Sequence, residues 1–132
     1  MTEQAETIDL KDIVLANASF GPNEIDQITD AISSDPANIS TLRDSVGELE
    51  TQEELSPATA VRLGFCYYLL GRYQRALETF NNADGGALAL FYIGRTYFSM
   101  NDFENAITNY NAAKGAGYDS DVCTLAVVEA ER

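Results

Sequence analysis

The sequence predicts an all-α protein built as an α-α superhelix, a solenoid of antiparallel helix pairs. Three observations lead to this prediction. Two segments of the 132-residue chain align without gaps at an offset of 30 residues. Within each segment, apolar residues recur at intervals of three and four, which places them on one face of a helix. A short break separates two such stripes in each segment, Gly71-Arg72 in the first and Asn101-Asp102 in the second, so each is predicted to form two helices.

The two segments share a fixed pattern of small and aromatic residues. In both, a glycine is followed by a tyrosine after three residues and by an alanine after twelve, and a second alanine comes seven residues later. Glycine inside a helix costs about 1 kcal/mol relative to alanine, so we expect each glycine to lie where the partner helix approaches closely, against Ala76 or Ala106. The predicted repeat-packing residues are Gly64, Tyr67, Ala76, Phe80, Ala83, Gly94, Tyr97, Ala106, Tyr110 and Ala113.

This pattern resembles the tetratricopeptide repeat (TPR) family, in which a large–small pair and an aromatic residue are followed by small–aromatic–small on a second helix. The resemblance covers residues 57–114 and implies a scaffold that holds other proteins. Two features depart from the family. The aromatic residue expected early in the first helix is Ala60 in one unit and Leu90 in the other. The period is 30 residues where the family has 34, and because the missing turn falls between Ala83 and Gly94, we expect a shortened second helix and a local change in superhelical twist.

The chain is predicted to divide into four parts. Residues 1–56 form an acidic N-terminal helical cap or, alternatively, a degenerate repeat. Residues 57–86 are TPR unit 1 and residues 87–116 are TPR unit 2. Ser56 and Pro57 open the first unit as an N-cap and a proline at the first helical position. Residues 117–132, capped by Asp119 or Ser120, form a half-repeat or capping helix, which either ends the array or begins its continuation.

The charge of the chain argues against nucleic-acid and membrane partners. Formal net charge is −13, and residues 1–56 carry thirteen acidic side chains against two basic ones. Such a surface repels phosphate backbones and anionic lipids. No apolar run approaches the roughly 18 residues that a membrane helix needs, and the first residues lack the basic and apolar regions of a secretory signal. We therefore expect a soluble, cytoplasmic protein without membrane insertion, in which Cys66 and Cys123 are buried free thiols.

The sequence offers no set of residues suited to catalysis. It contains no histidine, the commonest general base and metal ligand, and no glycine-rich phosphate-binding motif. Two pairs of carboxylates, at Asp102 and Glu104 and at Asp119 and Asp121, fall at predicted helix starts, where acidic residues favour the helix dipole. The prediction is a protein that is not an enzyme and that uses neither cofactor nor metal.

The resemblance implies instead a concave groove lined by the first helix of each pair. Its predicted lining is largely apolar and suits an extended or helical peptide, with Arg95 binding a carboxylate or carbonyl. Some TPR domains clamp a C-terminal carboxylate with Lys, Arg and Asn residues, but Phe65 stands where such a clamp has Asn, so no clamp is predicted. The predicted partner-binding residues are Val61, Phe65, Tyr68, Leu69, Leu88, Phe91, Arg95 and Phe98.

Three alternatives stay open at this stage. The N-terminal helices could bury many of the groove residues. The protein could be a dedicated chaperone for an aggregation-prone client, or it could assemble into a homo-oligomer through uncovered repeat ends. If the groove is open, replacing Phe65 or Phe91 by glutamate should abolish partner binding while helix content is retained.

Overall fold

The computed structural model describes residues 10–15, 20–52, 56–83 and 86–132. Within these ranges the chain forms helices and no strand, which confirms the predicted all-α fold. The Asp84-Gly85 part of the connection between the two units lies outside the described residues. The helices are α1 (Leu10–Leu15), α2 (Pro22–Ser34), α3 (Asn38–Leu49), α4 (Pro57–Leu69), α5 (Tyr73–Phe80), α6 (Ala87–Ser99), α7 (Phe103–Gly115) and α8 (Ser120–Glu131).

Three of these helices begin with the side-chain caps that the sequence predicts. The Ser56 hydroxyl accepts a hydrogen bond from the Thr59 backbone N–H at 3.1 Å, directly before α4. The Asp102 carboxylate accepts from the N–H of Asn105 at 3.2 Å at the start of α7, and the Asp119 carboxylate accepts from the N–H of Val122 at 3.0 Å at the start of α8. Both carboxylates therefore satisfy backbone donors that would otherwise lack partners.

The helices of the repeat region form two hairpins, α4–α5 and α6–α7, and α8 packs on α7. Two positions after the last residue of α4, α6 and α7 comes a residue with positive φ: Gly71 (φ 78°), Asn101 (φ 64°) and Gly117 (φ 107°). In each case the next residue donates its N–H to the carbonyl five positions earlier, at 2.9–3.0 Å. This is the Schellman arrangement, and Asn tolerates its left-handed conformation better than most residues.

The second helix of the first hairpin is shortened, as the 30-residue period predicts. Helix α5 has 8 residues, whereas α7, its counterpart in the second hairpin, has 13. After Phe80 the sequence continues Asn-Asn-Ala-Asp-Gly-Gly, and these residue types favour turns over helix. The helix consequently ends early and the chain enters α6 without the additional turn.

The two repeat glycines allow an aromatic ring of the partner helix to lie against the helix backbone. A methyl group added to Gly64 would come within 2.8 Å of the Phe80 ring, so the nearest neighbour is this ring and not Ala76 as the sequence suggested. On Gly94 the methyl group would lie 2.7 Å from the Tyr110 ring and 3.2 Å from the backbone oxygen of Ala106. Such approaches are closer than carbon–carbon van der Waals contact, so both positions require glycine.

Gly94→Ala is therefore expected to destabilise the protein, although alanine is the better helix former. Overpacking costs about 1–3 kcal/mol and the gain in helix propensity offsets about 1 kcal/mol, which leaves a net loss of roughly 1–2 kcal/mol. Gly47→Ala in α3 is the matched control, because, apart from its chain neighbours and the backbone of its own helix, no atom of the described residues lies within 4 Å of the methyl group that alanine would add there; it should gain about 0.5–1 kcal/mol. Urea denaturation measures the change in the free energy of unfolding for both variants. If both substitutions stabilise the protein, or both destabilise it, close packing against the Tyr110 ring is not the reason for glycine at position 94.

The N-terminal helices pack on the first repeat. The ring of Phe20 lies 5.8 Å from the ring of Phe65, and the Arg62 guanidinium lies 5.1 Å above the Phe20 ring. Directly after α3, the Glu50 carboxylate accepts a hydrogen bond from the Tyr67 hydroxyl. Buried residues of α1, α2, α3, α4 and α5 belong to one hydrophobic cluster, so the N-terminal segment and the first hairpin share a core.

Candidate protein-binding surface

Helix α4, the first helix of one repeat, lies against α6, the first helix of the next, and α8, which packs mainly on α7, also approaches α6. Between α4 and α6, the ring of Tyr92 lies 5.1 Å from that of Phe65 and 5.8 Å from that of Tyr68. Between α6 and α8, an Arg95 nitrogen lies 3.8 Å from a carboxylate oxygen of Glu129. These contacts link α4 to α6 and α6 to α8. We call the accessible side chains of these three helices beside the contacts the inner surface and define it by Tyr68, Leu88, Tyr92, Arg95, Phe98, Val122, Leu125 and Glu129.

Three of the eight predicted groove residues lie buried inside the folded chain. The exposed fraction is 9% for Val61, 2% for Phe65 and 6% for Phe91. This corrects the expectation that they line an open groove. Phe65 is covered by Phe20 from the segment that precedes α2. Phe91 is covered by Tyr118, whose ring stacks on it at 4.4 Å with an interplanar angle of 9°.

The other five predicted groove residues remain partly accessible. Tyr68 and Leu69 at the end of α4, and Leu88, Arg95 and Phe98 along α6, are all half-buried.

The predicted repeat-packing residues are more deeply buried than these groove residues. Ala83 and Tyr97 are half-buried; the buried ones are Gly64, Tyr67, Ala76, Phe80, Gly94, Ala106, Tyr110 and Ala113.

Arg95 is the cation of the inner surface and is surrounded by phenol groups. Its guanidinium lies 5.9 Å from the centre of the Phe98 ring and acts electrostatically on Tyr68 and Tyr110. Burial lowers the pKa of Arg95, but these two phenols outweigh that effect and the pKa is raised. Burial also raises the pKa of Tyr110. Near neutral pH Arg95 is therefore charged, and a guanidinium in this state binds carbonyl or carboxylate oxygens.

Sequence reasoning missed the part of this surface that α8 contributes. Val122 and Leu125 are 43% and 66% exposed, and Glu129 contacts Arg95. A signal for them was present: at the family's usual offset of 34 residues, Val122 and Leu125 correspond to Leu88 and Phe91, and Glu129 to Arg95. This correspondence does not appear at the 30-residue offset that relates the first two units.

Neither a cluster of metal ligands nor a thiol of lowered pKa occurs among the described residues. No group of three or more His, Cys, Asp or Glu side chains that could hold a metal ion occurs among them. Both cysteines are buried and free, as the sequence predicts. Burial raises the pKa of the Cys66 thiol to about 12, so it is protonated near neutral pH and a weak nucleophile. No helix in the described ranges has the length and apolar character needed to cross a membrane.

Comparison with known proteins agrees with the geometry of the two hairpins. A family model described as tetratricopeptide repeat matches residues 59–83, which correspond to α4 and α5, and residues 88–114, which correspond to α6 and α7. Searches of curated proteins and of solved structures found no match. Tetratricopeptide repeats generally mediate protein–protein interactions and typically form non-enzymatic scaffolds. Residues 59–83 and 88–114 of this protein are two consecutive repeats of the tetratricopeptide repeat family.

Proposed function

We propose that the protein binds another protein, or a peptide segment of one, on its inner surface. One observation carries the proposal: accessible apolar and aromatic side chains occur on α4, α6 and α8, from the half-buried Tyr68 and Phe98 to Leu125, which is 66% exposed. Exposed contiguous apolar surface is characteristic of interaction sites. The aromatic residues Tyr68, Tyr92 and Phe98 supply large rigid contacts of the kind enriched at interface hot spots.

The proposed surface is narrower than a fully open groove. Phe20 and Tyr118 already cover Phe65 and Phe91, so a partner would contact Tyr68, Arg95 and Phe98 at one end of α6 and the side chains of α8 beside it. Arg95 is 35% exposed and its ion pair with Glu129 is long, at 3.8 Å. Exposed pairs of this kind contribute little to stability, so a partner oxygen can replace the Glu129 carboxylate at small cost.

The proposal is tested by photocrosslinking in cells with p-benzoylphenylalanine placed at Phe98 or Leu125. Both positions should crosslink to the same partner, and the purified partner should bind Phe98→Ala at least about tenfold more weakly, since truncating an aromatic hot spot costs about 2 kcal/mol. Asn111, exposed on α7, is the control position and should give no such product. If Asn111 yields the same product as Phe98, or if Phe98→Ala binds normally, the inner surface is not the site.

A second copy of the chain is the other candidate partner. Val122, Leu125 and Val128 are exposed apolar residues at three-residue spacing on α8, and such a stripe suits a self-association contact. The same crosslinking experiment separates the two cases, because a second copy gives a product of twice the monomer mass. Light scattering over a concentration series provides the independent measurement, and a monomer at high concentration removes self-assembly.

A further inference from the structure

A pocket of about 470 Å³ lies where the starts of α2, α6 and α8 meet. Its lining is largely apolar and includes one acidic residue, Asp119. Leu88 in this pocket belongs to the inner surface, and so does Val122, which places the pocket at one end of that surface. The residues that line it include Pro22, Ala87, Leu88, Tyr118, Asp119 and Val122.

The size and lining of the pocket suit a side chain of a partner and not a buried water. A volume of a few hundred Å³ with mainly apolar walls is in the range of ligand sites. Val122, one of the walls, is 43% exposed, so a substantial apolar area is left in contact with solvent. Covering it with an aliphatic or aromatic side chain would be favourable by about 25 cal/mol per Å² of apolar area removed from water.

The charges around the pocket are predominantly negative. Burial is the largest cause of the raised pKa of Tyr118, and the carboxylates of Asp119 and Asp26 both add to it. Both carboxylates therefore act on the phenol that forms one wall. Among the described residues, no lysine or arginine lines the pocket. Arg95 also acts on Tyr118, in the opposite direction but more weakly.

The partial positive charges at the N-termini of these helices do not make the surroundings of the pocket positive. Each contributes roughly half a positive charge at most, and three of them meet here. In the described part of the chain, three carboxylates lie within the first turns or caps of two of these helices, Glu24 in α2 and Asp119 and Asp121 in α8, and Asp26 lies in the second turn of α2. The balance at the pocket is negative, in a chain whose net charge is −13.

We propose that this pocket takes an apolar side chain of a basic peptide segment, one in which lysine or arginine lies within two residues of that side chain. The apolar side chain would fill the space between Leu88, Tyr118 and Val122, and the cation would lie beside Asp119 and Asp26. The inference rests on the proposed function, since it names the chemistry of the partner at one end of the same surface.

The test uses two labelled peptides of equal length, Gly-Lys-Leu-Lys-Leu-Lys-Gly and the same peptide with glutamate in place of each lysine. Binding to the full chain is followed by amide chemical shifts in nuclear magnetic resonance spectra and by fluorescence anisotropy. The lysine peptide should bind, shift the amides of Leu88, Tyr118 and Val122, and bind several-fold more weakly as salt is raised towards about 0.3 M. Equal binding of the glutamate peptide, or shifts confined to other residues, would overturn the assignment.

Matched variants separate a defined pocket from general attraction to an acidic protein. Val122→Ser should weaken binding of the lysine peptide about fivefold, the loss expected for one aliphatic contact. Val128→Ser, on the same helix and equally exposed (45% against 43%), should leave it unchanged. Asp119→Asn keeps a side chain that can cap α8 but removes the charge, and should weaken binding, whereas Asp44→Asn on α3 should not.

The outcomes also separate this inference from the proposed function. If crosslinking at Phe98 captures a partner but Val122→Ser and Val128→Ser weaken the lysine peptide equally, the pocket assignment is wrong and the inner surface stands. If the pocket variants behave as expected while no crosslink forms at Phe98 or Leu125, binding is confined to the pocket and the wider surface is wrong.

Discussion

Replacing Phe65 by glutamate is expected to unfold the first repeat instead of blocking a binding site. Phe65 is 2% exposed, and its ring contacts those of Phe20 and Tyr92 at 5.8 and 5.1 Å. Loss of a buried phenylalanine costs about 3–5 kcal/mol, and burial of a carboxylate without a partner adds further cost. A loss of this size is roughly half or more of the free energy of unfolding of many domains. The helix content should therefore also fall.

Circular dichroism during thermal and urea denaturation measures this effect. For Phe65→Glu we expect a midpoint lower by more than about 12 °C, at a few degrees per kcal/mol for a chain of this size. Leu125→Glu is the control, because that side chain is 66% exposed, and its stability should stay within about 0.5 kcal/mol of the parent. A Phe65→Glu protein as stable as the Leu125→Glu protein would show that Phe65 lies on an open surface after all.

Tyr110→Ala is expected to cause the second large loss of stability, about 3–5 kcal/mol. The side chain is fully buried. Its ring fills the space above Gly94 and lies 5.4 Å from the ring of Phe91. Removing it leaves a cavity that the glycine cannot fill. Tyr110→Phe keeps the ring and should cost less than about 1 kcal/mol, because only the hydroxyl is lost.

Equilibrium urea denaturation gives these values, and a double-mutant cycle tests their cause. Gly94→Ala destabilises the parent because the added methyl group meets the Tyr110 ring. In the Tyr110→Ala background that obstacle is gone, so the same methyl group should be neutral or stabilising. A coupling energy of at least about 1 kcal/mol is expected for two residues in direct contact. Strict additivity of the two substitutions would exclude the ring–glycine contact as the cause.

The positions of the helices and their caps could be predicted from the sequence because these features depend on residues close together in the chain. The spacing of Gly64, Tyr67 and Ala76, repeated thirty residues later, indicated two hairpins. Ser56 and Asp119 indicated where helices begin, since a cap bonds to the backbone only about three residues away. The shortened α5 followed from the missing turn between the repeats.

The accessibility of the inner surface was decided by tertiary structure. Helical periodicity indicates which side chains share a face, but not what covers that face. Phe20 covers Phe65 from 45 positions earlier in the chain, and Tyr118 covers Phe91 from the loop before α8. Phe65 and Phe98 are both aromatic and lie on corresponding helices, yet one is core and the other is half-exposed, because burial depends on contacts between distant segments that periodicity does not encode.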